Sequence, residues 1–273
     1  MKILFCGDVV GKSGREVLAQ YLPSLKEELN LDIIIVNGEN SAHGFGITQG
    51  IAEDMFALGV DVITLGNHSF DNPNIMDYIT TQPKLIRPLN YVNAAGQGYY
   101  ILNHKNTKIL VINLLGKLFM HSKLETTDPF AHINTFLEEY KLTEDIDAII
   151  VDFHAETTSE KNAMGFFLDG KVSAVLGTHT HMPTADARIL PNDTGFQTDV
   201  GMCGDYNSVI GMSIESALST FFLQDSAPKL RLTPALGEGM LAGTLLEIDS
   251  MGKCIFIESI KYGKIFKKEN QNV

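Results

Sequence analysis

The chain has 273 residues, of which 44% are hydrophobic and 20% are charged, and its formal net charge is −12. This acidic balance excludes a protein that wraps long nucleic acid, because such proteins need basic surface to neutralise phosphates. No apolar run approaches the ~20 residues that span a bilayer, and no linker-like segment divides the chain, so we expect one domain over residues 1–273 without membrane contact.

The first third of the chain alternates buried strands with amphipathic helices. Apolar runs predict strands over residues 2–7, 32–36 and 61–65. Helical spacing of apolar residues predicts helices over residues 15–29 and about 48–58, and an Asp-Asn-Pro sequence at 71–73 predicts a third helix start. The short loops imply parallel neighbouring strands, whose C-terminal ends gather at the edge where open α/β sheets bind ligands.

The rest of the chain is richer in predicted strands. They fall at residues 86–89, 99–102, 109–113, 148–152, 172–176, 185–189, 244–248 and 254–260, and the second and third of them have the spacing of a hairpin. The fold class predicted is therefore α/β, with two packed mixed β-sheets flanked by helices. Residues 191–211, rich in Gly, Asn, Asp and Met, are predicted to form one long loop.

Polar side chains stand at or just after the ends of the predicted strands. They are Asp8, Glu39, Asn40, Asn67, His68, His154, His179 and His181. Carboxylate, amide oxygen and imidazole are the ligands that borderline divalent metals take up. Buried together without a metal they would be costly, because carboxylates repel and unpaired polar groups lose their hydration. The pattern therefore predicts a two-metal site along the edge of a sheet.

Taken singly, several of these residues have simpler explanations. Asp8 stands before a helix and could be its N-cap, and Glu39-Asn40 could be an ordinary turn. The strongest local pattern is the segment 177–181, GTHTH, since residues two apart in an extended segment share a face. Gly66-Asn67-His68 places an oxygen ligand beside a residue that can donate a proton. The other histidines have no ligand-like spacing: His43, His104, His121 and His132.

The cysteines and the N-terminus indicate the compartment. Cys6, Cys203 and Cys254 form no C-x-x-C spacing, which is typical of reduced thiols in a cytoplasmic protein. The N-terminal apolar run is short and becomes acidic at Asp8, unlike a signal peptide. We therefore expect a cytoplasmic location.

In chain order, the phrases GD, GEN, GNH, a lone histidine and GTHTH resemble those of the calcineurin-like metallophosphoesterases. The resemblance implies a four-layer α/β/β/α sandwich, a dinuclear metal centre at the strand ends and hydrolysis of phosphate esters. The usual D-x-H after the first strand is Asp8-Val9-Val10 here, and the bridging aspartate position is Glu39, followed by Asn40. These departures resemble the YmdB-type bacterial phosphodiesterases, a subfamily associated with 2′,3′-cyclic and other cyclic nucleotides.

The resemblance also implies two ligand sets that share one glutamate. One metal would take Asp8, Glu39, Asn40 and His181. The other would take Glu39, Asn67, His154 and His179. His68, which adjoins a ligand, is the implied catalytic proton donor.

The expected activity is that of a metal-dependent phosphoric diester hydrolase of the 2′,3′-cyclic-nucleotide 2′-phosphodiesterase type, with 3′,5′-cyclic nucleotides as a second substrate class. A hydroxide bridging the two ions would attack phosphorus in line, while His68 protonates the departing ribose oxygen. Four protein ligands per ion together with the bridging hydroxide exceed the tetrahedral geometry of structural zinc, and no cysteine stands at the site, so iron or manganese is favoured over zinc.

Two other functions stay open at this stage. The metal centre alone does not choose between diesters and monoesters, so a phosphomonoesterase or protein phosphatase is the first alternative. A metal-bound regulatory protein with little turnover is the second, although a binding site needs no proton donor beside its ligands. The expected partners are a small phosphate ester and further copies of this chain in a homo-oligomer, with no stable nucleic-acid binding.

Overall fold

Two six-stranded sheets dominate the computed structural model, which describes residues 1–221 and 229–264. The strands are Lys2–Cys6 (β1), Asp8–Val9 (β2), Ile33–Asn37 (β3), Val62–Thr64 (β4), Leu85–Ile86 (β5), Tyr99–His104 (β6), Thr107–Leu115 (β7), Ala148–His154 (β8), Ala174–Thr178 (β9), Arg188–Ile189 (β10), Gly195–Gln197 (β11), Met202–Cys203 (β12), Leu241–Ile248 (β13) and Cys254–Tyr262 (β14). The helices are Gly11–Glu28 (α1), Gln49–Ala57 (α2), Ile75–Thr81 (α3), Pro129–Phe136 (α4), Thr158–Leu168 (α5) and Ile214–Phe221 (α6).

Both large sheets are mixed. The first has the order β14-β13-β1-β3-β4-β5, with parallel pairing from β1 to β5 and antiparallel pairing across β13 and β14. The second has the order β10-β11-β9-β8-β7-β6, with parallel pairing from β11 to β7. A small third sheet pairs β2 with β12 in parallel, which places Met202 beside Asp8.

The predicted hairpin forms between β6 and β7, and it turns in two residues. Lys105 and Asn106 have φ of 47° and 69°, and His104 pairs with Thr107. Positive φ at both central residues is the geometry that matches the twist of antiparallel strands in a two-residue hairpin.

Alternate residues of β1 face opposite sides of the first sheet, as the period of a strand requires. Ile3 and Phe5 pack between the two sheets, whereas Leu4 and Cys6 pack against the helices. A third core lies between the second sheet and the helices α4 and α5, where Ile133 and Met164 are buried. Helix, sheet, sheet and helix are thus stacked in four layers, and the predicted fold class is confirmed.

Helix α1 begins at Gly11, earlier than the predicted start at residue 15. Its N-cap is Val10, which makes no side-chain capping bond within the described residues; the Gly11 N–H donates instead to the Asn40 carbonyl at 2.9 Å. The interpretation of Asp8 as a helix cap is therefore wrong, and its carboxylate points elsewhere.

The predicted long loop at 191–211 is also wrong in part. It contains β11 and β12, which are too short to give a sequence pattern of their own but are fully buried. The strand predicted at 86–89 is limited to β5, and that at 185–189 to β10. Among the described residues, no helix has both the length and the apolar character needed to cross a membrane.

Candidate metal centre

The strand order brings the predicted site residues to one place. Asp8 opens β2, Glu39 and Asn40 follow β3, Asn67 and His68 follow β4, His154 closes β8, and His179 and His181 follow β9. β3 and β4 belong to the first large sheet and β8 and β9 to the second, and their C-terminal ends meet at one edge of the sandwich, where the small sheet of β2 and β12 places Asp8. The residues that the sequence predicted one by one thus lie together in one cluster.

One group of side chains converges on His154. Its Nε2 lies 2.8 Å from Glu39 Oε1, 3.1 Å from Asn67 Oδ1 and 3.1 Å from His179 Nδ1. Ligand atoms of Glu39, His154 and His179 all lie within 4.8 Å of one another. A carboxylate, an amide oxygen and two imidazoles at this spacing form a ligand set for one divalent ion.

A second group of ligand-type side chains also contacts Glu39. Asn40 Nδ2 is 3.0 Å from His181 Nε2 and 3.4 Å from Glu39 Oε1, and His181 Nε2 is 3.8 Å from Asp8 Oδ1. A half-turn of the Asn40 amide exchanges its nitrogen for its oxygen at the same position. Glu39 therefore stands between two groups of potential ligands.

One carboxylate oxygen in this cluster has no partner of its own. Asp8 Oδ1 is fully buried and accepts no hydrogen bond from any described residue. It lies 3.8 Å from both His154 Nδ1 and His181 Nε2. A buried carboxylate oxygen without a donor is costly, and a cation would remove that cost. The residues present therefore fit the metal that the motifs imply.

Each histidine of the cluster has one ring nitrogen held by a neighbouring group. His154 Nδ1 lies 2.8 Å from the Thr178 hydroxyl, His179 Nε2 lies 3.1 Å from Glu156 Oε2, and His181 Nδ1 donates to the Ile210 carbonyl at 2.8 Å. Such partners fix the tautomer and direct the other nitrogen to the ligand position. For all three rings, the other nitrogen faces the cluster.

The support behind His154 continues into the core. The Thr178 hydroxyl donates to Asp152 Oδ1 at 2.6 Å, and the Asn37 amide donates to Asp152 Oδ2 at 3.0 Å. Burial raises the pKa of Asp152 to about 6, against the opposing influence of the His154 charge and of the Thr178 hydroxyl. Asp152 thus anchors the hydroxyl that orients the ring.

The buried charges of the cluster depend on one another. Burial alone would raise the pKa of Glu39, but His154, His68 and His179 together lower it. Burial alone would lower the pKa of His154, but Glu39 and Asp8 outweigh it and raise the value to about 9. Burial, followed by the charge of His154, lowers the pKa of His179 to about 3. A cation entering this cluster would therefore compete with a proton for His154.

His68 is placed differently from the other histidines. Its backbone N–H donates to Glu39 Oε2 at 3.0 Å, while its ring Nδ1 lies 2.6 Å from Asp71 Oδ2. Asp71 is in turn paired with Lys123 at 2.8 Å, and the ring of Phe45 packs edge-on against the imidazole at 5.1 Å. The imidazole therefore lies beside the cluster, where Asp71 fixes its orientation, and it is not one of the potential metal ligands.

Gly66 makes the close approach of Glu39 and His154 sterically feasible. A Cβ at this position would lie 2.3 Å from Glu39 Oε2 and 2.4 Å from His154 Nε2. Any side chain here would occupy the space in which the two groups meet. The glycine of the GNH phrase is thus a packing requirement of the cluster.

The sequence matches a known protein family over most of its length. Residues 4–260 match the family model described as YmdB-like protein. The chain belongs to this family. It is 41% identical over 254 residues to the 2′,3′-cyclic-nucleotide 2′-phosphodiesterase of Bacillus subtilis (strain 168), and the match covers 93% of each chain.

Solved structures agree with this membership. The crystal structure of a phosphatase from Mycoplasma pneumoniae has a TM-score of 0.89 at 37% identity, covering 96% of this chain and 93% of that one. A 5′-nucleotidase precursor from Thermus thermophilus has a TM-score of 0.55 at 13% identity, covering 96% of this chain and 54% of that one, and supports the fold alone. The predicted resemblance is confirmed, as is the prediction of an enzyme of the phosphoesterase class. Membership of this metallophosphoesterase family implies divalent metal ions.

A cleft opens directly over the cluster and encloses about 370 Å³. One wall is apolar and is formed by Phe45, Ile210, Met212 and Leu232. Ile210 has a φ of 47°, which is unusual for a β-branched residue, and its carbonyl holds His181. The same loop thus shapes the wall and orients a potential ligand.

The side chains that hold the ligand-type residues of the cluster in place were not identified from the sequence. Asp152 and Thr178 stand within two residues of a predicted ligand, so their polar side chains in otherwise apolar strands were the available signal. Asp71 was read as part of a helix start, but it binds His68. The histidines without ligand-like spacing in the sequence, His43, His104, His121 and His132, lie outside the cluster in the described structure.

Proposed function

We propose that this chain is a dinuclear-metal phosphodiesterase that hydrolyses 2′,3′-cyclic nucleotides, with 3′,5′-cyclic nucleotides as a second substrate class. The observation that carries the proposal is the position of Glu39 between two groups of buried ligand-type side chains. The name of the Bacillus subtilis relative supports the choice of substrate.

The two metal sites are proposed to use the ligand sets that the motifs imply. One set is Asp8, Glu39, Asn40 and His181, and the other is Glu39, Asn67, His154 and His179. When bound, two divalent ions supply Lewis acidity at the phosphate and a water activated for attack on phosphorus. Because only two of these seven residues are carboxylates, the loaded site stays positive and favours an anionic phosphodiester.

His68 is proposed to protonate the departing ribose oxygen. Asp71 accepts the Nδ1 proton, which orients the imidazole and leaves Nε2 to carry a second proton for transfer. The bond from the His68 amide to Glu39 couples the position of the donor to the residue between the two metals. The donor thus stays beside the reacting phosphate without occupying a metal.

Iron or manganese is the proposed metal. The ligand sets contain only oxygen and nitrogen, and the three cysteines are buried outside them. Four protein ligands together with a shared hydroxide would exceed the closed tetrahedral arrangement of structural zinc at each ion. Elemental analysis of protein purified without added metal tests this choice, and zinc as the sole metal present would contradict it.

A hydrolysis screen tests the proposed activity. Metal-loaded protein is assayed with 2′,3′-cyclic AMP, 3′,5′-cyclic AMP, 5′-AMP and a phosphopeptide. We expect the 2′,3′-cyclic diester to have the highest kcat/KM. Faster hydrolysis of 5′-AMP or the phosphopeptide would establish a phosphomonoesterase instead. Binding of the cyclic nucleotide without hydrolysis would establish a regulatory protein.

The His68→Ala variant tests the role of the proton donor. We expect turnover to fall by about 10²–10⁴-fold, with the metal content near that of the wild type. A matched control is His132→Ala in α4, whose ring contacts Thr127 outside the cluster and whose loss should leave turnover unchanged. Loss of both metals from His68→Ala would make His68 a ligand and refute the proposed role.

We also propose that the protein forms a homo-oligomer. Helix α6 exposes Ile214, Leu218 and Phe221, which recur at helical spacing and are 53%, 40% and 71% exposed. An apolar helix face of this kind is typical of an interface. Light scattering of the full chain tests the proposal, and a mass equal to one chain at all concentrations would contradict it.

A further inference from the structure

A buried ion pair lies behind the turn that carries His179 and His181. Lys161, from α5, is 1% exposed, and its Nζ lies 2.7 Å from Oδ2 of the fully buried Asp199. Two charges removed from water gain little net stability from their attraction, because the loss of hydration offsets it. The pair is therefore better explained by what Asp199 holds in place.

Asp199 holds Thr180, the residue between the two histidines. Its Oδ2 accepts hydrogen bonds from the Thr180 N–H at 3.0 Å and from the Thr180 hydroxyl at 2.7 Å. Its Oδ1 accepts from the Gly201 N–H at 2.8 Å. Both carboxylate oxygens are thus bonded to backbone groups of two separate segments.

The turn held in this way has an unfavourable backbone conformation. His179 and His181 have φ of 99° and 66°, in the left-handed region that non-glycine residues avoid. Such a conformation persists only where the surrounding structure imposes it. Asp199 bonds Thr180 through both its amide and its hydroxyl, so it fixes the residue that lies between the two strained positions.

The same network reaches a third predicted ligand. The Gly201 carbonyl accepts a hydrogen bond from the Asp8 N–H at 3.1 Å. Asp199 is itself held, since its N–H donates to the Thr184 hydroxyl at 2.9 Å and its carbonyl accepts from the Thr184 N–H at 3.0 Å. One anchored carboxylate therefore connects the backbones around three predicted ligands.

We infer that Asp199 is a positioning residue, which sets the places of Asp8, His179 and His181 for metal binding and is neutralised for this task by Lys161. The inference rests on the proposed metal site. Asp199 acts through Thr180 and Gly201 and is not one of the converging ligand groups, so it is not a catalytic residue.

Lys161 has a specific part in this arrangement. Without it, Asp199 would be a further buried carboxylate with no countercharge, besides Asp8, Glu39 and Asp152, and such a group would repel the others or compete for the cation. Paired with Lys161, the Asp199 carboxylate is committed to Thr180 and Gly201. The ion pair thus keeps the number of carboxylate ligands at two.

The test titrates metal-free full-length protein with Co²⁺ and follows its visible absorption, which reports the ligands around the ion. Asp199→Asn leaves one acceptor oxygen for donors on Thr180, Gly201 and Lys161, so we expect Co²⁺ affinity to fall by about 10–100-fold. The matched control is Leu168→Ala, in the same helix as Lys161 but in the core away from the cluster. It should lower the Tm and leave Co²⁺ affinity unchanged.

A double variant separates positioning from folding. Asp199→Asn alone leaves Lys161 buried without its partner, so the Tm should also fall. Lys161→Met together with Asp199→Asn removes both charges and should recover part of the Tm, while Co²⁺ affinity stays about 10–100-fold below wild type.

Two results would overturn the inference alone. In the first, the double variant recovers its Co²⁺ affinity together with its Tm. In the second, Asp199→Asn binds Co²⁺ as tightly as the wild type does. Wild-type protein that binds no Co²⁺ would overturn the proposed metal site and this inference with it.

Discussion

The Gly66→Ala substitution adds one methyl carbon at the point where Glu39 and His154 meet. That carbon would lie 2.3 Å from Glu39 Oε2, whereas ordinary contacts begin at 3.4 Å, so the carboxylate must move by about 1 Å. Metal sites tolerate shifts of only about 0.2 Å in ligand distance. Since Glu39 is the proposed ligand of both metals, we expect the affinity for both to fall by at least ~100-fold. Calorimetric titration of metal-free protein with Mn²⁺ measures the change.

The chain offers a matched control for this substitution. Gly50 lies in α2, and a Cβ there would meet no atom within 4 Å. Gly50→Ala should leave Mn²⁺ affinity unchanged and raise the free energy of unfolding by about 0.5–1 kcal/mol. If Gly66→Ala binds two Mn²⁺ ions as tightly as Gly50→Ala does, Glu39 and His154 are not ligands of a common ion, and the reasoning is wrong.

Further predictions concern the proton donor and the pH dependence of stability. Asp71→Asn should lower kcat by about 10–100-fold with little change in metal affinity, because it removes the carboxylate that orients His68. Steady-state kinetics measures kcat, and titration with Mn²⁺ measures the metal affinity. An unchanged kcat would contradict the prediction. Burial alone would raise the pKa of Asp32, but hydrogen bonds led by Lys105 outweigh it and lower the value to about 2 from the usual 3.8. The stability from Asp32 is therefore fully present above about pH 4 and lost as the pH falls toward 2. Asp32→Asn should lower the free energy of unfolding by about 1 kcal/mol at neutral pH, since the site is partly screened by solvent. Urea denaturation of both proteins at pH 7 and pH 2.5 measures this difference. A difference of the same size at both pH values would contradict the prediction.

The positions of the ligand-type residues were predictable because strand ends are readable from apolar runs. β1, β3 and β8 are buried along their whole length or nearly so, so their sequences are mainly apolar, with Asp152 the internal exception in β8, and polar residues stand at their C-terminal ends. Parallel pairing then brings these ends to one edge. The assignment of each residue to one or the other metal, and the single domain over residues 1–273, stay predictions.

The groups behind the ligands could not be predicted in the same way. Asp199 acts through contacts with Thr180 and Lys161 that depend on how β11 and the segment after it cross the end of β9. Strands of two or three residues have no measurable period, so the segment looked like a loop. Which buried aspartate faces the metals and which faces a lysine is decided by tertiary structure alone.

Some missed elements did have local signals. Helix α5 begins at the Thr157 N-cap, whose hydroxyl accepts from the Glu160 N–H at 3.2 Å, and this T-x-x-E spacing is that of a capping box. Helix α4 begins with Asp128 as N-cap and Pro129 in its first turn, a further recognised start. Their weak apolar periodicity concealed them, because each packs only a few residues against the second sheet.

The central claim is that two metal ions share Glu39, and anomalous diffraction from crystals of the Mn²⁺-loaded protein tests it most directly. The account predicts two anomalous peaks, both in contact with the Glu39 carboxylate. One peak should also contact Asp8, Asn40 and His181, and the other Asn67, His154 and His179. A single peak, or two peaks of which only one contacts Glu39, would contradict the account.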